Sequence, residues 1–120
     1  LLSSFSIIKK CKNEQQINKL TALYGSGPAY YVFFNEIIIQ AFLNMGFTRR
    51  ETILYTNSLL LGTSKLIKNE PDTRKLLNSI ASKGGTTEAA LYELRKNKID
   101  LLIRKAIQQA YKKSNKILSK

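Results

Sequence analysis

The stretch PAYYVFFNEIIIQAFLNM, residues 28–45, is apolar on nearly every side when it is drawn as a helix. Three of its polar residues, Glu36, Gln40 and Asn44, recur at every fourth position and form one narrow stripe. Proline is favoured at the first position of a helix and glycine just beyond the last, which is where Pro28 and Gly46 lie. We therefore predict a largely buried core helix here.

The same segment has nearly the length of a membrane span, but its charge argues against one. At about 1.5 Å per residue it would be about 27 Å long, barely enough for a hydrocarbon core of about 30 Å. The acidic Glu36 near its centre would be expensive to bury in lipid. We predict a helix in the core of a protein that does not contact a membrane.

A second helical pattern follows at residues 48–69. Thr48 and Glu51 have the spacing of a capping box, in which each side chain accepts a hydrogen bond from the backbone amide of the other. Gly62 lies inside this pattern, where glycine costs about 1 kcal/mol relative to alanine. A close helix–helix crossing would explain a glycine there, and we predict one at Gly62.

Three more helical patterns complete the chain. Pro71 ends the second helix, and Asp72 is placed to cap a short third one. The fourth helix is predicted over residues 87–96 with Asn97 as its left-handed terminator, and the fifth begins at Asp100. The fifth carries an apolar stripe at spacings of three and four: Ile99, Leu102, Ile103, Ala106, Ile107, Ala110, Tyr111, Ser114, Ile117 and Leu118. No strand-like alternation follows residue 20, so we predict an all-α fold of about five helices.

The opening of the chain, residues 1–23, is mixed in character and has room for one short strand. Its apolar stretch Phe5 to Ile8 has no cationic segment before it and no small-residue cleavage site, so we predict no signal peptide. The single cysteine, Cys11, excludes an intrachain disulfide and is interpreted as a small buried residue. The absence of histidine excludes a zinc site and histidine-based acid–base chemistry. A reducing, cytoplasmic environment fits these features.

The chain is strongly basic, with 20 Lys and Arg residues against 8 Asp and Glu and a formal net charge of +12. Such a balance raises the hypothesis of nucleic-acid binding. The cations are spread along the chain, and only the tail concentrates them, at Lys112, Lys113, Lys116 and Lys120. Because no aromatic stacking platform or helix-turn-helix pattern accompanies them, we interpret the tail as a solvated face and rank nucleic-acid binding last among the candidate functions.

The polar run Ser82-Lys83-Gly84-Gly85-Thr86-Thr87 lies between the third and fourth predicted helices. Its two glycines would let the backbone approach a ligand closely. The unpaired amides and the positive dipole end at a helix start favour a small anion such as a carboxylate. Turns of this composition more often only cap the helix, so the residues alone leave both roles open.

A second glycine-rich run, Thr21-Ala22-Leu23-Tyr24-Gly25-Ser26-Gly27-Pro28-Ala29-Tyr30, leads into the core helix. Together and in this order, the two runs resemble the C-terminal domain of pyrroline-5-carboxylate reductase. That family has a Gly-Ser-Gly-Pro-Ala-Tyr entry to a long helix and a Ser-Pro-Gly-Gly-(Thr/Ala)-Thr substrate loop. The resemblance implies that residues 21–120 are a helical dimerisation and substrate-binding domain, similar to the C-terminal domain of 6-phosphogluconate dehydrogenase. Residues 1–20 resemble the end of a nucleotide-binding domain or a linker.

The resemblance also implies a reaction and roles for named residues. In proline biosynthesis the family uses NAD(P)H to reduce 1-pyrroline-5-carboxylate to proline. Ser82 and the backbone amides around Gly84, Gly85 and Thr86 would hold the carboxylate of either compound. Thr87 would hydrogen-bond the ring nitrogen. Because a threonine hydroxyl is a weak acid, Thr87 as the catalytic candidate would position the nitrogen or relay a proton from solvent.

The family binds NAD(P)H on an N-terminal Rossmann domain, whereas this sequence has no glycine-rich dinucleotide fingerprint. We therefore expect this chain to bind no cofactor and to be inactive as a reductase by itself. The resemblance further implies a homodimer or larger oligomer, in which the apolar faces of the core helix meet a second subunit.

Two departures from the family pattern leave substrate binding open. Tyr24 stands where the family commonly has serine, and it adds bulk near a tight turn. Lys83 stands where the family has proline, so the loop loses a fixed backbone angle, although the charge of lysine would attract a carboxylate. The alternative to a reductase fragment is a non-catalytic relic or interaction protein that keeps the dimer fold.

Overall fold

The computed structural model describes residues 13–118, which form six α-helices and one π-helical turn. In chain order the elements are α1 Glu14–Leu20, the π-helical turn Thr21–Gly25, α2 Gly27–Asn44, α3 Arg49–Asn69, α4 Thr73–Ile80, α5 Thr86–Lys96 and α6 Ile99–Leu118. These residues include no β-strand, so the all-α prediction is confirmed. The five predicted helices correspond to α2–α6.

Helix α1 is an addition that the sequence patterns did not predict. It spans 7 residues, too few for a helical period to be recognised. The expectation of a short strand within residues 1–23 is not met by residues 14–23, which are helical. The predictions about Phe5 to Ile8, Cys11 and Lys120 concern positions outside the described residues.

The turn from α2 to α3 is a Schellman motif centred on Gly46. This glycine has a φ of 94°, a left-handed conformation that side chains disfavour. The amide of Gly46 donates to the carbonyl of Leu43 at 3.0 Å, and the amide of Phe47 donates to the carbonyl of Phe42 at 3.2 Å. Phe47 also packs on Phe42 and Tyr55, with ring centroids 5.4 Å and 6.2 Å away. The predicted helix end at Gly46 is thus confirmed.

The predicted capping box begins α3. The Thr48 hydroxyl accepts from the Glu51 amide at 3.3 Å, and the Glu51 carboxylate accepts from the Thr48 amide at 2.9 Å. At the next helix, the Asp72 carboxylate accepts from the amides of Arg74 and Lys75 at 3.0 Å and 3.1 Å, as predicted for the cap of α4. Both helix starts are therefore held by side chains close in sequence.

The predicted terminator of α5 is wrong by one residue. Asn97 has a φ of −87°, and Lys98 takes the left-handed conformation with a φ of 55°. The Asn97 side-chain amide donates to the carbonyl of Glu93 at 2.8 Å. The backbone amide of Asn97 donates to the same carbonyl at 3.1 Å. These two bonds hold Asn97 against the last turn of α5, and the left-handed reversal falls on Lys98.

Contacts divide the chain into two compact units. Of the described residues, the first unit holds 13–32 and 99–118, and within it α6 contacts α1 and the π-helical turn. The second unit holds residues 33–98, and within it α3 contacts α4. The loop that the sequence singles out, residues 82–87, belongs entirely to the second unit.

The apolar faces of the single chain are largely uncovered. Ile39, 5% exposed, is the one buried apolar side chain among those whose burial the structure describes. On α2, Tyr31, Val32 and Phe33 are 67%, 68% and 65% exposed. The prediction that this helix is largely buried is therefore wrong for the single chain, because so short a chain has too few elements to cover it.

Two further predictions concern α3 and α6. A Cβ added at Gly62 would meet nothing within 4 Å, so the predicted close crossing does not occur among residues 13–118. Lys112, Lys113 and Lys116 on α6 are exposed, as expected of a solvated face. No helix of the described residues combines the length and the apolar character that crossing a membrane would require.

Candidate functional site

The loop between α4 and α5 is a tight turn that requires glycine at position 84. Gly84 has a φ of 74°, in the left-handed region where a side chain is strained. The amide of Gly85 donates to the carbonyl of Ser82 at 3.0 Å and closes the turn. The first of the two glycines therefore serves the backbone conformation of the loop.

The second glycine makes room for Ser82. A Cβ built on Gly85 would lie 2.5 Å from Ser82 Oγ and 3.1 Å from the Ser82 carbonyl oxygen. The sequence suggested that both glycines let the backbone approach a ligand. In the structure, the group that approaches Gly85 is the side chain of Ser82 itself.

The start of α5 presents amides without helical acceptors. Gly85 is the N-cap residue and no side chain caps the helix there. The carbonyl of Gly85 accepts from the amide of Ala89 at 3.2 Å, which makes Thr86 the first helical residue, one position before the predicted start. The amides of Thr86 and Thr87 precede the first bonded turn, so they point out of the helix end, where its dipole is positive.

A residue that the sequence reasoning missed, Glu88, contacts the loop. Its carboxylate Oε2 accepts from the amide of Gly84 at 2.7 Å. Glu88 lies three residues after the N-cap, where glutamate commonly reaches back to the backbone in front of a helix. That spacing was the available signal in the sequence.

The structure brings all five predicted site residues together in one turn and the start of one helix. Ser82, Gly84 and Thr86 are exposed, while Gly85 and Thr87 are half-buried. Two of the amides proposed for a carboxylate already have acceptors within the chain, since Gly84 donates to Glu88 and Gly85 donates to Ser82. The amides at the start of α5 are the ones left for a ligand.

The two substituted positions lie in different units. Lys83 is exposed and forms no ion pair with any residue in the range 13–118. Tyr24 lies in the π-helical turn that precedes α2, and it is 47% exposed.

Helix α2 begins at Gly27, so Pro28 is its second residue instead of its first. No cluster of acidic or cysteine side chains within the described ranges is arranged to hold a metal ion.

Comparison with known proteins matches the chain to a known family. The family model for pyrroline-5-carboxylate reductase dimerisation matches residues 14–117, nearly the whole chain. The chain belongs to the pyrroline-5-carboxylate reductase family. The resemblance carried by the two glycine-rich runs is thereby confirmed.

Relatives in this family are considerably longer than the chain. The pyrroline-5-carboxylate reductase of Pseudomonas aeruginosa is 30% identical over 115 residues, which are 95% of this chain and 42% of that protein. The Vibrio alginolyticus reductase is 32% identical over 106 residues, covering 85% of this chain and 39% of the relative. The chain thus spans about two fifths of the length of the curated relatives that it matches.

Two solved pyrroline-5-carboxylate reductases have a similar fold. The Coxiella burnetii enzyme superposes with a TM-score of 0.82 at 32% identity, over 88% of this chain and 40% of that one. The Plasmodium falciparum enzyme, solved with NADP bound, gives a TM-score of 0.81 at 30% identity, over 85% of this chain and 39% of that one. The fold described above is therefore similar to about two fifths of each of these two enzymes.

Proposed function

We propose that this chain supplies the dimerisation and substrate-binding portion of a pyrroline-5-carboxylate reductase. The observation that carries the proposal is the match of the family's dimerisation model to residues 14–117. We assign residues 21–120 to the helical dimerisation domain, and residues 1–20 to a linker or the end of a nucleotide-binding domain. The working location is the cytoplasm.

The partner in this proposal is a second copy of the chain. On α3, Leu54 and Leu61 are 62% and 66% exposed, and α2 carries its own uncovered aromatic residues. Apolar area on this scale is unusual on a protein that works alone. A homodimer, or a larger oligomer built from it, would cover both helices.

The ligand in this proposal is 1-pyrroline-5-carboxylate or proline, bound at residues 82–87. The positive end of α5 and the amides of Thr86 and Thr87 would hold the carboxylate, with the Ser82 hydroxyl beside them. The Thr87 hydroxyl would donate to, or accept from, the ring nitrogen. Its contribution to the reaction is to hold that nitrogen in place while a proton arrives from solvent.

The residues of this chain do not suit NAD(P)H. The sequence has no glycine-rich strand-to-helix fingerprint for a dinucleotide, and residues 13–118 include no parallel sheet that would carry one. Hydride transfer is therefore assigned to a separate nucleotide-binding domain, and no step of it to residues of this chain.

The test measures the two ligands separately on the purified chain. We expect no NADPH binding by calorimetry, and weak L-proline binding detected as shifts of the amide resonances of residues 82–87. The proline shifts should need clearly more proline in Thr87→Ala, and they should disappear in Gly85→Val. They should persist in Thr73→Ala, a matched control because Thr73 also lies in the first turn of a helix. Adding a family nucleotide-binding domain in trans should restore reduction of 1-pyrroline-5-carboxylate.

The replacement of proline by Lys83 in the loop favours a second candidate, a non-catalytic protein that keeps the dimer. In that case the dimer would form, millimolar proline would shift no loop resonance, and the added domain would restore no activity. Tight binding of NADPH would contradict both candidates.

A further inference from the structure

The carboxylate of Glu88 is bonded to the backbone amide of Gly84, one of the amides that the family resemblance assigns to the ligand carboxylate. Its Oε2 atom lies 2.7 Å from the amide nitrogen of Gly84. Glu88 forms no ion pair with any cation among residues 13–118, although Lys83 adjoins Gly84 in the sequence. The Glu88 carboxylate therefore accepts a hydrogen bond from the Gly84 amide, as the carboxylate of an anionic ligand would.

The loop keeps its shape by other means. The left-handed turn is provided by Gly84, with its φ of 74°, and closed by the bond from the Gly85 amide to the Ser82 carbonyl. Glu88 is exposed and reaches the loop with a flexible side chain. Removing its carboxylate would thus free the Gly84 amide without removing either element that shapes the turn.

We propose that Glu88 is an internal competitor for the ligand carboxylate. This inference rests on the proposed function, in which residues 82–87 bind a small carboxylate. A ligand that bonds the amides of Thr86 and Thr87 gains the Gly84 amide only when the Glu88 carboxylate withdraws. Glu88 thereby lowers the affinity of the loop for all carboxylates, so that tight binding requires a ligand with further contacts, such as a ring nitrogen held by Thr87.

The competition has a limited size because the contact is exposed to water. A hydrogen bond of this kind contributes about 1 kcal/mol net, so its loss to a ligand corresponds to about a five-fold change in affinity. Glutamine at position 88 would leave a neutral and weaker acceptor at the same place. Alanine would leave none, so the gain in affinity should be larger for Glu88→Ala than for Glu88→Gln.

The experiment is an NMR titration of the full chain with two probes, sodium acetate and L-proline. The proteins are the wild type, Glu88→Gln, Glu88→Ala and Glu93→Gln. Glu93 lies on the same helix and pairs with Lys96 at 3.7 Å, so its variant removes the same charge without touching the loop. Circular dichroism checks that each variant keeps its helices.

We expect acetate to bind about five-fold tighter to Glu88→Ala than to the wild type, with a smaller gain for Glu88→Gln. The Glu93→Gln variant should bind acetate like the wild type. The Gly84 amide resonance should move in Glu88→Ala before any probe is added. Unchanged or weaker acetate binding in both Glu88 variants would overturn the proposal, as would an equal gain in Glu93→Gln.

The two probes distinguish this inference from the function on which it rests. If the Glu88 variants bind acetate more tightly but L-proline binds no better than acetate in any protein, the competitor stands and the proline site fails. If L-proline shifts the loop in the wild type and neither Glu88 variant binds it more tightly, the proline site stands and the competitor fails.

Discussion

The hydroxyl of Ser82 occupies the space that a side chain at Gly85 would need, since a methyl group at position 85 would be 2.5 Å from Oγ. The backbone of Gly85, with a φ of −85° and a ψ of 170°, is one that any residue adopts. The need for glycine therefore comes from the neighbour, whereas at Gly84 it comes from a left-handed φ of 74°. Adjacent glycines thus have different physical reasons.

The first prediction follows from this contact. Gly85→Ala should destabilise the chain by about 1 kcal/mol or less, because the added methyl group forces the exposed serine hydroxyl into another rotamer. In a Ser82→Ala background the same change should cost clearly less, since the 3.1 Å contact to the carbonyl oxygen needs only a small shift. Urea unfolding at one protein concentration measures the difference in the free energy of unfolding. The four proteins are the wild type, Gly85→Ala, Ser82→Ala and the double variant. Equal losses in both backgrounds would show that the hydroxyl is not the cause.

The second prediction concerns acid sensitivity at the start of α3. Hydrogen bonds from the Thr48 side chain, and then from its backbone amide, lower the pKa of the Glu51 carboxyl below its ordinary value of 4.5. A carboxyl with a lowered folded-state pKa contributes stability above its unfolded pKa and loses it as pH falls through the folded value. The chain should therefore lose stability below about pH 4.5, and Glu51→Gln should flatten that part of the profile.

Thermal unfolding between about pH 3 and pH 6 measures this effect. Thr48→Ala is the companion variant, since it removes the hydroxyl but keeps the carboxyl, and it should flatten the profile only in part. Parallel profiles for the wild type and Glu51→Gln would show that the box does not couple to pH. The effect should be modest, because Glu51 is exposed to solvent.

The third prediction concerns Gly62. No atom of the part of the chain that the structure describes lies within 4 Å of a Cβ at this position, yet a glycine inside a helix costs about 1 kcal/mol relative to alanine. Its helical neighbours Leu59 and Leu66 are 59% and 47% exposed. If the proposed second copy crosses α3 here, Gly62→Leu should weaken the dimer by about ten-fold or more, because a bulky side chain would hold the helices apart.

Ser64→Leu is the matched control for Gly62→Leu. Two residues along a helix turn by about 200°, so position 64 lies on the opposite side of α3. Sedimentation equilibrium of both variants gives the dimer constants. A dimer that Gly62→Leu leaves intact would place the crossing elsewhere on α3.

The fourth prediction separates the two ends of the proposed ligand at Thr87. Thr87→Val keeps the shape of the side chain and removes its hydroxyl, whereas Thr87→Ser keeps the hydroxyl. L-Proline should bind about ten-fold more weakly to Thr87→Val than to the wild type, and Thr87→Ser should stay within a few-fold. Acetate, which has no nitrogen, should bind all three proteins alike. Loss of acetate binding in Thr87→Val would mean that the hydroxyl contacts the carboxylate.

Features set by residues close in sequence were predicted well. The capping box of Thr48 and Glu51, the Asp72 cap and the helix end at Gly46 each involve residues within a few positions of one another. Asn97 is not the left-handed terminator, and its side-chain amide donates to the carbonyl of Glu93 instead. A sequence pattern does not reveal whether the left-handed backbone or this hydrogen bond is lower in energy.

Features that depend on the surroundings were not predicted. Helix α2 reads as a core helix, yet its apolar residues lie largely in the open within one chain. The crossing inferred at Gly62 has no partner among the described residues 13–118. In both cases the sequence indicates that a helix face is to be covered. It does not indicate whether the same chain or another one covers that face.

By itself, then, the sequence determined the all-α class, the order of α2 to α6, the side-chain caps of α3 and α4, and membership of the family through two glycine-rich runs. Only the tertiary structure decided what the conspicuous loop does with its own donors. It assigned Gly84 to Glu88 and Gly85 to Ser82, and left the amides of Thr86 and Thr87 at the start of α5. The physical reason is that residue types specify which turns are sterically allowed, whereas the partner of each amide depends on where side chains come to lie once the turn has closed.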